Sequence, residues 1–161
     1  MITDSYYLNL GETALIRQQG SIHMLGLGSC VGLFLHDRMA KIAAAAHVVY
    51  PHHSEDMSPG SSALTALDHL LVQMTAAGAN PGYLRAHIVG GAKLLNIVHS
   101  DIGRQNSLII EAQLRNHCIY IATNATGEHA GRSASIHLPD GNIKYQTIHH
   151  HTNLNITPLS K

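Results

Sequence analysis

Charge is scarce in this sequence. Only 12% of its 161 residues are charged, and 10 Lys+Arg against 10 Asp+Glu leave no net charge. Such a chain lacks the basic footprint of a nucleic-acid binder or of a protein held to an anionic membrane. Cysteine is scarcer still: Cys30 and Cys118 are too few for a disulfide framework. No uninterrupted apolar run approaches the roughly 18 residues that span a bilayer. The opening residues, Met1 to Tyr7, have neither the basic nor the apolar segment of a secretory signal. These absences read as a cytoplasmic protein without a transmembrane segment, whose thiols stay reduced. Two things are plentiful. Apolar residues make up 45%, which excludes disorder. Histidine, at 14 residues, outnumbers all the acids, so the chain gains positive charge as pH falls through about 6.5.

No repeat and no long linker divides the chain. It reads as one domain over 1–161, with a core at about 8–148 and a polar tail at 149–161. Short strands are expected at 12–17 and 21–27, and a buried strand at 31–35 from its apolar run. A turn is expected at 37–40. Residues 41–49 hold enough alanine for a helix, but Val48-Val49 before Tyr50-Pro51 favours a strand. Leu64, Leu67, Leu71 and Met74 form one face of a helix predicted over about 61–77, stopped by Gly78. A strand at 84–89 runs into Gly90-Gly91-Ala92. A second helix is predicted over about 105–116, with Leu108, Ile109, Ala112 and Leu114 partly buried. Strands at 118–122, 133–138 and 143–148 complete the reading, the last two joined through Asp140-Gly141. Strands and helices mix without a regular βαβ rhythm, which indicates a layered α/β or α+β domain.

A turn centred between Arg38 and Met39 sets Cys30 directly opposite His47 in an antiparallel hairpin. Opposed residues hold their Cβ atoms about 4.5–5.5 Å apart, so a thiol and an imidazole would meet. An imidazole favours the thiolate, the attacking species, and can return the proton to a leaving amine. Gly28 and Ser29 precede Cys30 with little bulk and can offer N–H groups to an oxyanion. Gly32, Ala43 and Ala45 on the same face would leave an open groove. A buried, inert cysteine is the competing reading for Cys30. For Cys118, in an apolar strand, burial is the expectation.

His52-His53 and His149-His150-His151 carry imidazoles suited to zinc, copper or nickel. Neither cluster has recognisable ligand spacing, so no metal and no cofactor is assigned, and exposed polar residues are expected. His69 flanks the first helix's apolar stripe. Arg104 and Asn106 open the second helix, as caps or as substrate contacts.

Leu25-Gly26-Leu27-Gly28-Ser29-Cys30-Val31 resembles the nucleophile segment of the chemoreceptor glutamine deamidase family, CheD. Ala46-His47-Val48 with Pro51, Gly90-Gly91-Ala92, Ile102-Gly103-Arg104-Gln105-Asn106, and Gly127 through Gly131-Arg132 resemble four further motifs of that family, in its order over about 8–148. The resemblance implies an α/β (α+β) fold of layered mixed β-sheets with helices packed outside. It implies Cys30 as nucleophile and His47 as general base and acid, with Gly28, Ser29, Gly90 and Gly91 as oxyanion or substrate contacts. The substrate would be glutamine side chains of methyl-accepting chemotaxis receptors, hydrolysed to glutamate and ammonia through a Cys thioester. A CheC-type phosphatase would be a docking partner. The chain departs from the family at Met24, where threonine is usual, at Ala125, where an acid is common, and at Glu128, where glycine is usual. Lys93-Leu94-Leu95 replaces the usual Met-Phe. These departures keep two other functions in view: a CheD-like binding module that engages CheC or receptors, and a histidine-rich metal-binding protein.

Overall fold

The computed structural model describes residues 3–94 and 101–149. Among these described residues nine strands and two α-helices follow in order: β1 Ser5–Tyr7, β2 Thr13–Arg17, β3 Gly20–Leu27, β4 Val31–Asp37, β5 Ile42–Val48, α1 Ala66–Ala76, β6 Leu84–Gly90, α2 Ile102–Asn116, β7 Tyr120–Thr126, β8 Arg132–Leu138 and β9 Asn142–Thr147. They build two mixed sheets, one ordered β1-β3-β8-β9 and the other β2-β5-β4-β6-β7. The parallel pairs are β1 with β3 and β6 with β7. The sheets face each other, and both helices cover the far side of the five-stranded sheet. This is the layered α+β architecture expected.

The two cores explain why β4 and β5 are buried along their whole length. One face of the hairpin, Leu33, Leu35, Ala44 and Ala46, packs under Leu67, Leu70, Met74, Ile110 and Leu114 of the helices. The other, Phe34, Ala43 and Ala45, packs on Ile22, Met24, Leu27, Ala134 and Ile136 of the four-stranded sheet. A strand covered on both faces reads as a continuous apolar run, and the small alanines let three layers approach closely. Within 41–49, Ile42–Val48 thus form a strand. The groove expected beside Gly32, Ala43 and Ala45 does not exist, because Met24, Leu27 and Phe34 occupy that space.

The hairpin register also differs from expectation. The turn is a four-residue loop centred between Met39 and Ala40. Asp37 Oδ1 accepts the N–H groups of Met39 (2.9 Å) and Ala40 (3.0 Å), and Lys41 takes φ +56°. Moving the centre by one residue moves the register by two, so His47 lies opposite Gly32, and Val48 opposite Val31. The shift is even, so every side chain keeps its face.

The first helix begins later than predicted, after a short 3₁₀ turn at Pro59–Ser61, and its buried face is Leu67, Leu70 and Met74 while Leu64 is exposed. The second begins earlier, capped by Asp101, whose side chain accepts the Arg104 N–H. Its buried residues are Gly103, Asn106, Ser107, Ile110 and Leu114; Leu108 and Ala112 are exposed.

Cys118 is not buried: it is exposed and stands between α2 and β7. Both helices end in the same motif. After α1, the N–H of Gly78 reaches Thr75 O and that of Ala79 reaches Met74 O; after α2, Cys118 reaches Arg115 O and Ile119 reaches Leu114 O. The position after the cap is left-handed in each, φ +104° at Gly78 and +54° at Cys118, and a Cβ is disfavoured there. Cys118→Gly should therefore stabilise the fold by about 1 kcal/mol, a rise of about 2–4 °C in Tm by calorimetry. An unchanged or lower Tm would show that glycine's extra freedom in the unfolded chain cancels the gain.

Candidate active site

Cys30 is half-buried in the bend that enters β4. It lies one diagonal step from His47 on the face turned toward the four-stranded sheet, a spacing of about 7–8 Å between backbones in general. His47 is 3% exposed. Its backbone is fixed by two bonds to the preceding segment: the Gly11 N–H donates to His47 O (2.9 Å), and the His47 N–H donates to Glu12 O (3.0 Å).

The ring is fixed as well. Its Nδ1 lies 3.0 Å from the Leu8 carbonyl. A carbonyl can only accept, so Nδ1 carries the proton and donates it, which leaves Nε2 as the bare, basic nitrogen. That Nε2 is buried and has no partner among the described residues. An unmet buried acceptor costs about 1–3 kcal/mol, which suits a base waiting for a proton. A cleft of about 490 Å³ lined by Tyr7, Leu8, Asn9, Leu10, His23 and Leu25 reaches His47. Burial pushes the Cys30 thiol up, and its own backbone N–H pulls it less strongly the other way. The thiol is thus not held ionised in advance, as the nearby imidazole had suggested, and proton transfer to a base has to accompany attack.

Three glycine-rich segments, far apart in sequence, meet under Cys30. The Gly91 N–H donates to Cys30 O and the Ala92 N–H to Gly28 O, both at 2.8 Å. A Cβ at Gly90 would collide with the Cys30 carbonyl, and one at Gly91 with Ser107. The turn is braced in its turn by Gly127, whose N–H donates to Gly90 O (3.0 Å), and by buried Arg132, which donates to Gly127 O (2.9 Å). Gly91 therefore supports the Cys30 bend through an N–H already engaged. The N–H groups of Ser29 and Cys30 have no backbone acceptor among the described residues.

Comparison with known proteins gives this constellation a family. The model of CheD chemotactic sensory transduction matches residues 49–147. A probable chemoreceptor glutamine deamidase CheD of Caldanaerobacter subterraneus subsp. tengcongensis is 31% identical over 151 residues, 89% of this chain and 93% of the relative. This chain belongs to the CheD family. Similar CheD proteins include the chemoreceptor glutamine deamidase of Thermotoga maritima, 31% identical over 88% of this chain and 90% of its own. A probable one of Methanococcus vannielii is 34% identical over 84% and 90%.

In this CheD chain the departures have structural answers. Met24 is fully buried between the sheets, where a Cβ on Gly32 would come 3.0 Å from its sulfur. It packs; the imidazole is oriented by the Leu8 carbonyl. Ser21 and His23 bond each other (2.8 Å), and Tyr7 stacks on His23 at 4.6 Å, so neither side chain is given to His47. Glu128 takes a left-handed φ of +59°, the conformation glycine adopts freely, and its carboxylate meets Arg132 at 3.1 Å. The sequence allows a main-chain carbonyl in that role but cannot single out Leu8, because a main-chain atom leaves no residue-type signal. Arg132 entered only as part of a motif, because two of its partners are the Gly90 and Gly127 carbonyls.

His52 and His53 are exposed in their loop, and His149 is exposed. His150 and His151 lie outside the described residues. Among the described residues no group of three or more His, Cys, Asp or Glu could hold a metal ion. No helix among them is long and apolar enough to cross a membrane.

Proposed function

We propose that this CheD-family protein is a chemoreceptor glutamine deamidase with Cys30 as nucleophile and His47 as base and acid. The observation that supports it best is His47 itself: buried, oriented through Nδ1 by a main-chain carbonyl, with a bare Nε2 on the hairpin face that also carries Cys30. His47 Nε2 takes the thiol proton as Cys30 Sγ attacks the glutamine carboxamide carbon. The oxyanion is met by N–H groups of the Gly28–Cys30 segment. The C–N bond breaks, and ammonia leaves with the proton from His47. Water then adds to the thioester, giving a proton to His47, which returns it to the departing thiolate. Glutamate and free enzyme result.

The substrate on this reading is a glutamine side chain of a methyl-accepting chemotaxis receptor, and the enzyme works in the cytoplasm as one domain. A CheC-type phosphatase is the proposed regulatory partner. Each turnover adds about 1 Da to the receptor fragment and releases one ammonia, so mass spectrometry of receptor cytoplasmic fragments is the direct test. Wild-type protein should give the shift, and Cys30→Ala should not, while keeping its fold by circular dichroism. A wild-type protein that binds receptor fragments yet shifts none would leave a binding module as the function. Shifts by Cys30→Ala would remove the nucleophile assignment.

A further inference from the structure

Asn106 is fully buried on α2, well away from any solvent role. Its Nδ2 donates to two main-chain carbonyls, Ser29 O at 3.2 Å and Val49 O at 3.0 Å. Two carbonyl partners decide which end of the amide is nitrogen, since neither can donate. Both N–H bonds of the amide are thus spent, and Oδ1 is left buried without a donor among the described residues. One of the two carbonyls belongs to the residue before Cys30. The other lies just beyond β5, two residues after His47.

We propose that Asn106 is the positioning residue of the Cys30–His47 pair, stapling the nucleophile bend to the end of the histidine strand. The inference rests on the deamidase reading for its consequence and on geometry for its substance. The β4–β5 ladder ends at the Val31–Val48 pair, so Cys30 lies just outside it. No rung of that ladder holds the Ser29–Cys30 bend to the strand of His47. Asn106 bridges this gap from a third element, and the helix brings it there because Gly103, one turn earlier, packs directly on the Gly91 turn, with no room for a Cβ. An N-terminal cap role is already filled by Asp101. The unmet Oδ1 is a cost that an apolar residue of the same size would not carry.

A shift of the thiol by about 1 Å can cost about a hundredfold in rate without touching substrate affinity. Asn106→Leu, near in size, is therefore expected to lower kcat by about 30-fold or more with KM within about twofold. It should slow alkylation of Cys30 by iodoacetamide by about tenfold, measured in a Cys118→Ser background. Asn106→Asp supplies a donor only while its carboxyl is protonated. Its alkylation rate relative to wild type should recover as pH falls from about 8 to about 6, and that of Asn106→Leu should not. Circular dichroism and Tm establish that each variant is folded at the assay temperature, and an unfolded Asn106→Leu leaves the aspartate arm to decide. A residue that only packs would give unchanged alkylation in folded variants and no pH-dependent recovery, and either result overturns the proposal. If wild type alkylates in a His47-dependent way but deamidates no receptor, the deamidase reading fails while the positioning role stands.

Discussion

His47→Gln is expected to lower kcat for deamidation by about a thousandfold, about 4 kcal/mol of transition-state stabilisation, with KM nearly unchanged. Glutamine keeps an amide N–H for the Leu8 carbonyl that His47 Nδ1 now contacts at 3.0 Å, so the buried site stays hydrogen-bonded and folded. What it lacks is a basic nitrogen. The loss falls on kcat because the proton moves only during reaction. The pH dependence follows from the thiol. Burial holds Cys30 above its usual value, so near neutrality the sulfur keeps its proton unless a base takes it. Without His47 the remaining route is thiolate formed by the solvent, whose fraction rises about tenfold per pH unit below the thiol's own pKa. The deficit of the variant should therefore shrink steadily as pH rises above about 8. Rates of iodoacetamide labelling from about pH 6 to about pH 10, in Cys118→Ser protein because Cys118 is exposed, would show it. Identical labelling profiles with and without His47 would dissolve the pair.

The shared face of Cys30 and His47 is legible in the sequence even though the register is not. Face identity depends only on parity, and the hairpin's real centre shifted the register by two, so Cys30 and His47 stayed on one face. Direct opposition failed because the loop is held open by the Asp37 carboxylate and a left-handed Lys41, features that two-residue turn logic does not contain. Alanine composition misleads in β5, yet β-branched residues near its end and Pro51 after it identify a strand, because helix propensity is a weak prior beside a doubly covered sheet. Leu108 was misplaced for a related reason: on α2 the buried stripe runs through Gly103, Asn106, Ser107, Ile110 and Leu114, and two of those five are polar. Cys118 was read as strand interior from the apolar residues after it, while its left-handed turn leaves it exposed. The partners of His47 and of Asn106 are all main-chain carbonyls, and no residue alphabet shows where the chain will bring them.

Acid should unfold this protein through two histidines remote from the chemistry. His36 and His87 are each 6% exposed, their rings stacked with centroids 5.2 Å apart. His87 Nδ1 lies 2.9 Å from Thr123 Oγ1, and its Nε2 lies 3.2 Å from His36 Nδ1. A hydrogen bond between two ring nitrogens needs one of them bare, so the pair cannot be doubly protonated without breaking it. Desolvation, then the neighbouring His36, pushes His87 down to about 4. His36 is lowered by desolvation first and by Arg85 and Arg38, with Asp37 acting in the opposite sense. Both folded values lie below the unfolded value of about 6.5. The unfolded chain therefore binds more protons in acid, and the stability these groups contribute is whole above about 6.5 and lost as pH falls toward about 4. For His87 alone the loss is about 3 kcal/mol, a large part of the 5–15 kcal/mol that holds a typical domain together. Urea denaturation from about pH 7.5 to about pH 4.5 should show that slope. His87→Gln, which cannot titrate but can still bond Thr123, should flatten it by nearly one proton. Equal slopes in the two proteins would move the acid sensitivity to His36 or to the half-buried His23 and His137, which burial also pushes down. The pair sits near the far end of β4, six residues from Cys30 and so about 20 Å away, against the β8–β9 turn, where Gly141 leaves no room for a Cβ beside the His36 ring. An activity that falls in acid can thus be resolved into its two causes: His47 variants alter the rate of the folded enzyme, and His87 variants alter the fraction that is folded.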